Sequence, residues 1–362
     1  MINPLPLSLR RRLALEISRK QIDLEIIEHP LRQLFWECTL LCNLHCRHCG
    51  SDCKNISGVP DMPKEDFLRV LDGISAVTDP HKVFIIVTGG EPLMRADIEE
   101  CGMEFYKRGF PWGMVSNGYA LTKERYEKLL RAGMGSMTIS LDGLRDDHTW
   151  MRQNPESFDH AVNAIKMLTA TDGFIFDVVT CVNRKNYSNL EEIRDFLISI
   201  GVKKWRVFTV FPMGRAASDP NMRLSDEEFR GVFEFIRATR KEGKIMANYG
   251  CEGFLGNYEG EVRDHLFSCQ AGISVGSVLI DGSISACSSI RSDYHQGNIY
   301  KDDFMTVWNT KFQPYRDRTW MKKDECANCS YFRYCRGGGM HLRDSEGKLL
   351  LCHLNRLINS EK

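Results

Sequence analysis

The 362-residue sequence predicts an α/β fold with a parallel sheet, followed by a smaller cysteine-rich region. Six apolar runs rich in β-branched and aromatic residues alternate with helical patterns, which is typical of a parallel sheet covered by helices. After about residue 245 this alternation stops, and cysteines, glycines and short β-like pieces replace it. The sheet is therefore either open or curled into an incomplete barrel. Its predicted strands span residues 34–39, 82–88, 112–116, 136–141, 175–182 and 205–211.

Helical spacing of apolar residues supports the segments between the strands. It occurs in residues 67–74 and again in residues 158–168, with apolar side chains three or four positions apart. Two later helices are predicted to begin with capping boxes, and Gly201 is expected to end the first of them. The capping pairs are Ser188 with Glu191 and Ser225 with Glu228.

We expect three regions along the chain, spanning residues 1–33, 34–245 and 246–362. The first is an amphipathic, basic segment, for which a helix packed on the surface is favoured over a membrane anchor, with docking of a partner left open. The second holds the strand–helix alternation. The third contains a hairpin signal, because Asp281-Gly282 follows a β-like run at residues 277–280.

Composition and charge exclude several classes of protein. The 48 Lys and Arg residues balance 48 Asp and Glu residues, so bulk charge indicates neither a basic nucleic-acid binder nor an acidic tail. No signal peptide is readable, and no apolar window approaches the length of a membrane span. We therefore expect a cytoplasmic protein whose closely spaced cysteines bind metals or clusters rather than form disulfides.

Five of the fourteen cysteines lie between Cys38 and Cys53, directly after the first predicted strand. Cys42, Cys46 and Cys49 are separated by three and two residues, so one loop offers thiolates to three irons of a cubane 4Fe–4S cluster. The fourth iron is left for an external ligand. Zinc is the alternative, because Cys38 or Cys53 could supply further thiolates.

The segment CNLHCRHC resembles the CxxxCxxC motif of the radical S-adenosylmethionine (SAM) superfamily, which has an aromatic residue or His before the third cysteine. Further motifs of that family end the second, third and fourth predicted strands, where barrel folds build active sites. They are Gly89-Gly90-Glu91-Pro92, Ser116-Asn117-Gly118 and Ser140-Leu141-Asp142-Gly143. The resemblance implies a partial (β/α)6 TIM-like barrel followed by a small cysteine-rich domain with a β-hairpin.

The resemblance also implies a cofactor site, in which the open iron of the 4Fe–4S cluster binds the amino and carboxylate groups of SAM. The two glycines let the backbone approach the methionyl amine, and the following glutamate supports their loop. Two strand-ending serines face the ribose or carboxylate, the histidine of the cluster motif stacks on a cofactor ring, and an arginine is a further carboxylate candidate. In chain order these residues are His48, Gly89, Gly90, Glu91, Ser116, Ser140 and Arg152.

The chemistry implied by this family begins with one electron, which a reduced cluster transfers to the sulfonium of SAM. The C5′–S bond breaks and releases methionine and a 5′-deoxyadenosyl radical, which abstracts hydrogen from an unactivated C–H bond. An external electron donor of the flavodoxin or ferredoxin type is therefore an implied partner.

The later cysteines resemble the SPASM extension of radical SAM enzymes that modify peptides and proteins, which holds two auxiliary iron–sulfur clusters. Six of its seven cysteine positions match, and Gly339 occupies the seventh. One auxiliary cluster keeps four thiolates, for which structural zinc is the alternative, and the other keeps two. The four are Cys326, Cys329, Cys335 and Cys352, and the two are Cys269 and Cys287.

The incomplete auxiliary site needs further ligands. Cys251 is the nearest spare thiolate, and we predict it as the third ligand. The fourth position is open, filled by His341 or filled by substrate. Burial is expected for the four remaining cysteines, Cys38, Cys53, Cys101 and Cys181.

The paired motifs indicate a radical SAM enzyme that modifies a peptide or protein substrate. The alternatives are an enzyme acting on a tetrapyrrole of the haem pathway, a sulfatase-type maturase, and a non-enzymatic iron–sulfur or zinc protein for electron transfer or structure. The sequences around the cysteines most resemble a bacterial subgroup whose partner is a small lipoprotein. Neither a nucleic-acid partner nor a membrane span is expected.

Overall fold

The structure is a computed structural model that describes residues 7–250, 253–290 and 292–360. Its strands form one mixed sheet in the order β10-β9-β8-β1-β2-β3-β4-β5-β6-β7. The strands are β1 (Gln33–Glu37), β2 (Phe84–Thr88), β3 (Trp112–Ser116), β4 (Met134–Ser140), β5 (Ile175–Val182), β6 (Lys204–Thr209), β7 (Met246–Tyr249), β8 (Val275–Val278), β9 (Ser283–Ser285) and β10 (Gly297–Asn298). The α-helices are α1 (Leu9–Glu28), α2 (Lys64–Ser75), α3 (Ile98–Lys107), α4 (Lys123–Arg131), α5 (Arg145–Arg152), α6 (Ser157–Thr169), α7 (Leu190–Ser199), α8 (Asp226–Glu242), α9 (Phe304–Thr310), α10 (Gln313–Arg316), α11 (Phe332–Cys335) and α12 (His353–Asn359).

The predicted α/β class is confirmed. Strands β1 to β7 lie side by side in chain order, and every neighbouring pair among them is parallel. All six predicted strands are present, with ends that differ from the expected ones by two residues at most. Because parallel strands share a direction, their C-terminal ends meet at one edge of the partial barrel. That edge carries the sequence motifs.

The sheet extends beyond the six predicted strands on both sides. Strand β7 begins at Met246 and pairs with β6, while β8 pairs in parallel with β1. Strand β9 then runs antiparallel to β8 through a turn at Gly282, whose φ of +83° suits a residue without a side chain. The hairpin prediction is therefore confirmed. The boundary at residues 245/246 stays a prediction, because strands on both sides of it belong to one sheet.

The capping-box predictions have different outcomes. Ser225 and Glu228 form the reciprocal box at the start of α8. The Ser188 prediction is wrong, because residues 187–189 form a 3₁₀ turn and α7 begins after Asn189. A residue inside a 3₁₀ turn lacks the extended backbone of an N-cap. Gly201, at φ +87°, follows the end of α7 as expected.

Helix α1 packs on the cysteine-rich region through its inner face. Leu15 and Ile22 are buried there, and Leu15 belongs to a small apolar cluster with Phe254, Phe267 and Tyr331. Across the described ranges, no helix combines the length and apolarity that a bilayer span requires. The main core lies instead between the sheet and its helices.

Candidate functional site

The cluster loop, residues 38–54, follows β1 at the C-terminal edge of the barrel. It is closed by a hydrogen bond in which the Cys42 N–H donates to the Lys54 carbonyl at 2.8 Å. Cys42 and Cys46 are buried and Cys49 is half-buried, and all three pack in one group with Cys53. The structure therefore brings together the three thiols predicted to bind the first cluster.

The thiols of the cluster loop differ in acidity. Burial raises the pKa of Cys42 to about 12, since a thiolate is poorly solvated there. The pKa of Cys49 falls to about 5, chiefly because the Cys53 thiol donates a hydrogen bond to its sulfur. Cys53, for which burial is the expectation, thus also contacts a predicted cluster ligand.

The Gly89-Gly90 pair lies against the backbone of the cluster loop. The Gly90 N–H donates to the Thr39 carbonyl at 2.7 Å, and the Glu91 N–H donates to the Leu41 carbonyl at 2.8 Å. A Cβ at Gly89 would lie 2.2 Å from the Thr39 oxygen, and one at Gly90 would lie 2.2 Å from the Leu41 oxygen. Any side chain here would displace the cluster loop, so the structure gives these glycines a role in loop placement.

Glu91 connects the second strand to the third. Its buried carboxylate accepts hydrogen bonds from the Ser116 hydroxyl at 2.8 Å and from the Asn117 N–H at 2.7 Å. The Asn117 side chain in turn donates to the Asn43 side chain in the cluster loop at 2.8 Å. Ser116 therefore supports Glu91, whereas Ser140 is half-buried at the end of β4. Burial raises the pKa of Glu91, although its three donors oppose that shift.

Arg152 and Asp142 form a buried ion pair beside the cluster loop. The Arg152 Nη2 lies 2.6 Å from the Asp142 Oδ2, and the side chains are 8% and 0% exposed. Arg152 also donates to the Cys46 sulfur through Nη1 at 3.5 Å. Burial opposes ionisation of Asp142, but the Arg152 cation outweighs it and holds the pKa below its usual range. Arg152 thus places a fixed positive charge at a predicted cluster ligand.

His48 lies next to this ion pair. One ligand atom each of His48, Asp142 and Cys181 lies within 4.8 Å of the others, which is close enough for a metal ion. The Arg152 cation already neutralises Asp142, so these three residues are a poor cation site. The His48 Nδ1 is buried without a hydrogen-bond partner, and burial lowers the pKa of the ring to about 4. A neutral ring with an unsatisfied nitrogen fits contact with a bound cofactor.

Four thiols of the cysteine-rich region surround a second centre. Cys326, Cys329, Cys335 and Cys352 line one cavity, together with Gly337 and Gly338. Burial raises the pKa of Cys352 to about 11, and the neighbouring sulfurs of Cys326 and Cys329 add to the shift. Arg343 donates to the Cys326 sulfur at 3.5 Å. Four converging thiols suit either a cluster or zinc.

Cys269 and Cys287, the two cysteines predicted for the incomplete auxiliary site, both raise the pKa of Tyr315. The Cys269 sulfur accepts the backbone N–H of Met340, so Gly339 lies beside this cysteine, as the SPASM spacing implies. The His341 ring contacts Phe211 at a centroid distance of 5.2 Å. Cys251 lies outside the described residues, so its role as third ligand stays a prediction.

Comparison with known protein families agrees with both sets of cysteines. The Radical SAM superfamily model matches residues 36–197, and the model of the SPASM iron–sulfur cluster-binding domain matches residues 269–330. The protein is a radical SAM enzyme with a SPASM domain. Its cofactors are accordingly SAM and iron–sulfur clusters, and the residues at both centres fit them in donor type and proximity.

Curated relatives of this radical SAM enzyme have more than one activity. An AdoMet-dependent heme synthase of Methanosarcina barkeri is 26% identical over 326 residues, covering 84% of this chain and 90% of that protein. The mycofactocin maturase MftC of Mycolicibacterium smegmatis is 29% identical over 317 residues, covering 85% of this chain and 77% of that protein.

Solved structures share the fold of the enzyme. Streptococcus suis SuiB with S-adenosylmethionine superposes with a TM-score of 0.67 at 18% identity, covering 91% of this chain and 79% of that one. The enzyme anSMEcpe with AdoMet and a peptide superposes with a TM-score of 0.70 at 19% identity, covering 92% and 94%. At such identities the similarity concerns the fold alone.

The radical SAM site includes residues that no sequence motif indicated. Arg215, after β6, donates to the Cys46 carbonyl at 2.8 Å and to the Cys53 carbonyl at 3.2 Å. A Cβ on the adjacent Gly214 would lie 2.4 Å from the Cys49 carbonyl oxygen. These contacts hold the cluster loop in place from the end of β6, which lies far from β1 in the sheet. Their only sequence signal is a Gly-Arg pair shortly after a predicted strand.

The remaining cysteines of the enzyme largely follow the expectation of burial. Cys38 and Cys101 are fully buried in the main core, and Cys53 is buried in the cluster loop. Cys181 is half-buried, because it faces the lumen at the end of β5, next to His48.

Proposed function

We propose that this radical SAM enzyme modifies a peptide or protein, with Cys42, Cys46 and Cys49 as ligands of the SAM-binding 4Fe–4S cluster. Bound at that cluster, SAM supplies a 5′-deoxyadenosyl radical. The protein itself holds the cluster loop through Gly90 and Arg215, and excludes water from two of the three thiols. We further propose Cys326, Cys329, Cys335 and Cys352 as ligands of a complete auxiliary cluster.

The shape and chemistry of the barrel lumen support a peptide substrate. A cavity of about 260 Å³ is lined by the first halves of β4, β5 and β6. That volume is below the range of about 300–1,000 Å³ that is usual for pockets enclosing a whole small molecule. Asp177, which lines the cavity, and Cys181, next to His48, lie on the same face of β5. They are four residues apart, or about 13 Å along the strand. An extended chain could bridge that distance.

The charges of the cavity favour the same substrate class. The Arg206 Nε lies 2.9 Å from the Asp177 Oδ2, and the Thr138 hydroxyl donates to the same carboxylate at 2.6 Å. The arginine is therefore neutralised. The lining contains one further cation, Lys204. A tetrapyrrole with several carboxylates would need more than one uncompensated cation, whereas a peptide needs the hydrogen-bonding groups that this cavity offers.

A tetrapyrrole is the second candidate, because the similar Methanosarcina protein is named a heme synthase. The test uses anaerobically reconstituted enzyme with a flavodoxin reductant. It is incubated separately with iron coproporphyrin and with small proteins encoded beside its gene. We expect a mass change in one of the proteins and none in the porphyrin. Conversion of the porphyrin alone would overturn the peptide assignment.

Two sets of variants separate the cluster from the substrate site. Cys46→Ala should abolish formation of 5′-deoxyadenosine, whereas Cys101→Ala, in the core, should retain it. Asp177→Asn with Arg206→Gln should impair substrate modification but leave uncoupled SAM cleavage unchanged. Loss of both activities in that double variant would exclude the cavity as a substrate-specific site.

A further inference from the structure

The outer face of α1 carries an exposed apolar stripe. Five aliphatic side chains on this helix are 61–81% exposed, although the structure buries most side chains of this kind. At 100° per residue they lie within about 80° of arc, opposite the buried Leu15 and Ile22. The stripe consists of Leu9, Leu13, Ile17, Leu24 and Ile27, with Lys20 among them.

The spacing within the stripe is that of a coiled-coil seam. From Leu13 onward its members are Ile17, Lys20, Leu24 and Ile27, at alternating intervals of four and three residues. This pattern presents a narrow row of side chains to one neighbouring helix. Contiguous exposed apolar surface of this kind marks an interaction site.

The charged residues of α1 differ in whether the body of the protein engages them. Three of its four acidic residues are engaged: Glu16 accepts from Tyr334, Asp23 pairs with Arg336, and Gln270 donates to Glu25. The fourth, Glu28, is exposed at the C-terminal end of the helix. Two exposed cations, on the stripe and at its flank, make no ion pair within the described part of the chain. These are Lys20 and Arg10.

A second copy of the chain fits the stripe poorly. Lys20 is the central residue of the seam, so both parallel and antiparallel pairing would place it opposite its own copy. Like charges at a seam position destabilise such a pair. A membrane surface also fits poorly, because residues 9–28 contain five basic and four acidic residues and the stripe has no aromatic side chain.

We propose that the outer face of α1 is a docking site for an amphipathic helix of a different protein, whose apolar seam carries an acidic residue opposite Lys20. The apolar stripe supplies the contact area, and Lys20 selects the partner through charge. Arg10, at the flank of the stripe, favours an acidic residue along the edge of that helix. This surface is independent of the proposed substrate class.

The test uses the full-length holoenzyme and two labelled synthetic helices of three heptads, with a Leu/Ile seam and either Glu or Lys at the central seam position. Fluorescence anisotropy should show at least tenfold tighter binding of the Glu peptide. Lys20→Glu should reverse that order. Leu13→Ser combined with Leu24→Ser should weaken binding of the Glu peptide at least tenfold, while Val77→Ser, at another exposed aliphatic position, should not.

Sedimentation and vesicle binding test whether a second copy of the chain or a membrane surface binds the stripe instead. The wild-type enzyme should be free of self-association through α1, and Lys20→Leu should introduce it, because the like-charge contact is removed. A wild-type dimer that Leu24→Ser dissociates would overturn the proposal in favour of a second copy. Binding to anionic phosphatidylglycerol vesicles that Leu13→Ser abolishes would overturn it in favour of a membrane. Equal affinity for the two peptides would also overturn it.

Discussion

The Arg152–Asp142 ion pair offers the sharpest test of the site's energetics. With the charged atoms 2.6 Å apart, Coulomb's law at an effective dielectric of about 20 gives roughly 6 kcal/mol of attraction. Desolvation of two buried charges offsets much of that gain. The net value of the pair is therefore small, yet removing one partner leaves the other charge buried and uncompensated.

We expect Arg152→Met and Asp142→Asn each to lower the free energy of unfolding by about 3–5 kcal/mol. The double variant should recover much of this loss, since it leaves no orphaned charge, and the coupling energy should exceed about 2 kcal/mol. The exposed pair Arg145–Asp159, with side chains 54% and 58% exposed, is the matched control. Its disruption should cost at most about 1 kcal/mol.

The measurement is urea unfolding of the metal-free protein under reducing conditions, followed by tryptophan fluorescence. Tightly bound cofactors would otherwise prevent a two-state analysis. Losses below about 1 kcal/mol in both single variants, or additive losses in the double variant, would refute the reasoning. They would mean that Asp142 and Arg152 find other partners when separated.

Three further predictions concern single residues. Burial lowers the pKa of His148 to about 3, so near and below pH 6.5 the unfolded chain binds more protons at this residue than the folded chain. The free energy of unfolding should therefore fall by about 1 kcal/mol between pH 6.5 and 5.5 because of this group. Urea unfolding at pH 6.5 and 5.5 should show that His148→Gln loses less stability over this interval than the wild-type protein does. The control variant His81→Gln, at an exposed histidine, should lose as much as wild type. Equal losses in wild type and His148→Gln would contradict the prediction. Glu91→Gln replaces a carboxylate that accepts three hydrogen bonds, and it should lower the free energy of unfolding by about 1–3 kcal/mol. The affinity for SAM, measured by calorimetry, should fall several-fold, and an unchanged affinity would contradict this prediction. Gly90→Ala should displace the cluster loop, and elemental analysis should then show the loss of the iron of one cluster. Gly58→Ala, with no atom near its Cβ, should keep the full iron content.

The strands were predictable because their signal is local. Each of β1 to β6 contains a run rich in apolar residues, β1 to β4 are also followed by a motif, and periodicity needs no knowledge of distant contacts. Strand β7 was missed because Met246–Tyr249 is short and contains Asn248, so that pairing with β6 rather than composition makes it a strand. Likewise Ser188 has the right neighbours for a capping box, but the 3₁₀ turn at residues 187–189 shifts the helix start by one residue.

The candidate site was predictable as a set of residues but not as a set of contacts. The resemblance pointed to Gly90 and Arg152, yet the atoms that they contact in the cluster loop, the Leu41 carbonyl and the Cys46 sulfur, lie 49 and 106 residues away in sequence. Arg215 is 169 residues from Cys46 and belongs to no motif. Contacts across a barrel depend on tertiary packing, which single-sequence patterns do not encode.

The contacts divide the residues of the site into two groups: those that hold the cluster loop and those that line the lumen. Gly90, Asn117, Arg152 and Arg215 come from different parts of the barrel, and each touches the cluster loop or one of its thiols. Because several strands hold one loop, changes at these positions should act through cluster content or potential. The lumen pair of Asp177 and Arg206 touches none of them, so changes there should uncouple SAM cleavage from substrate modification. Under the proposed function, the radical chemistry stays fixed at the barrel edge while the lumen determines what is modified.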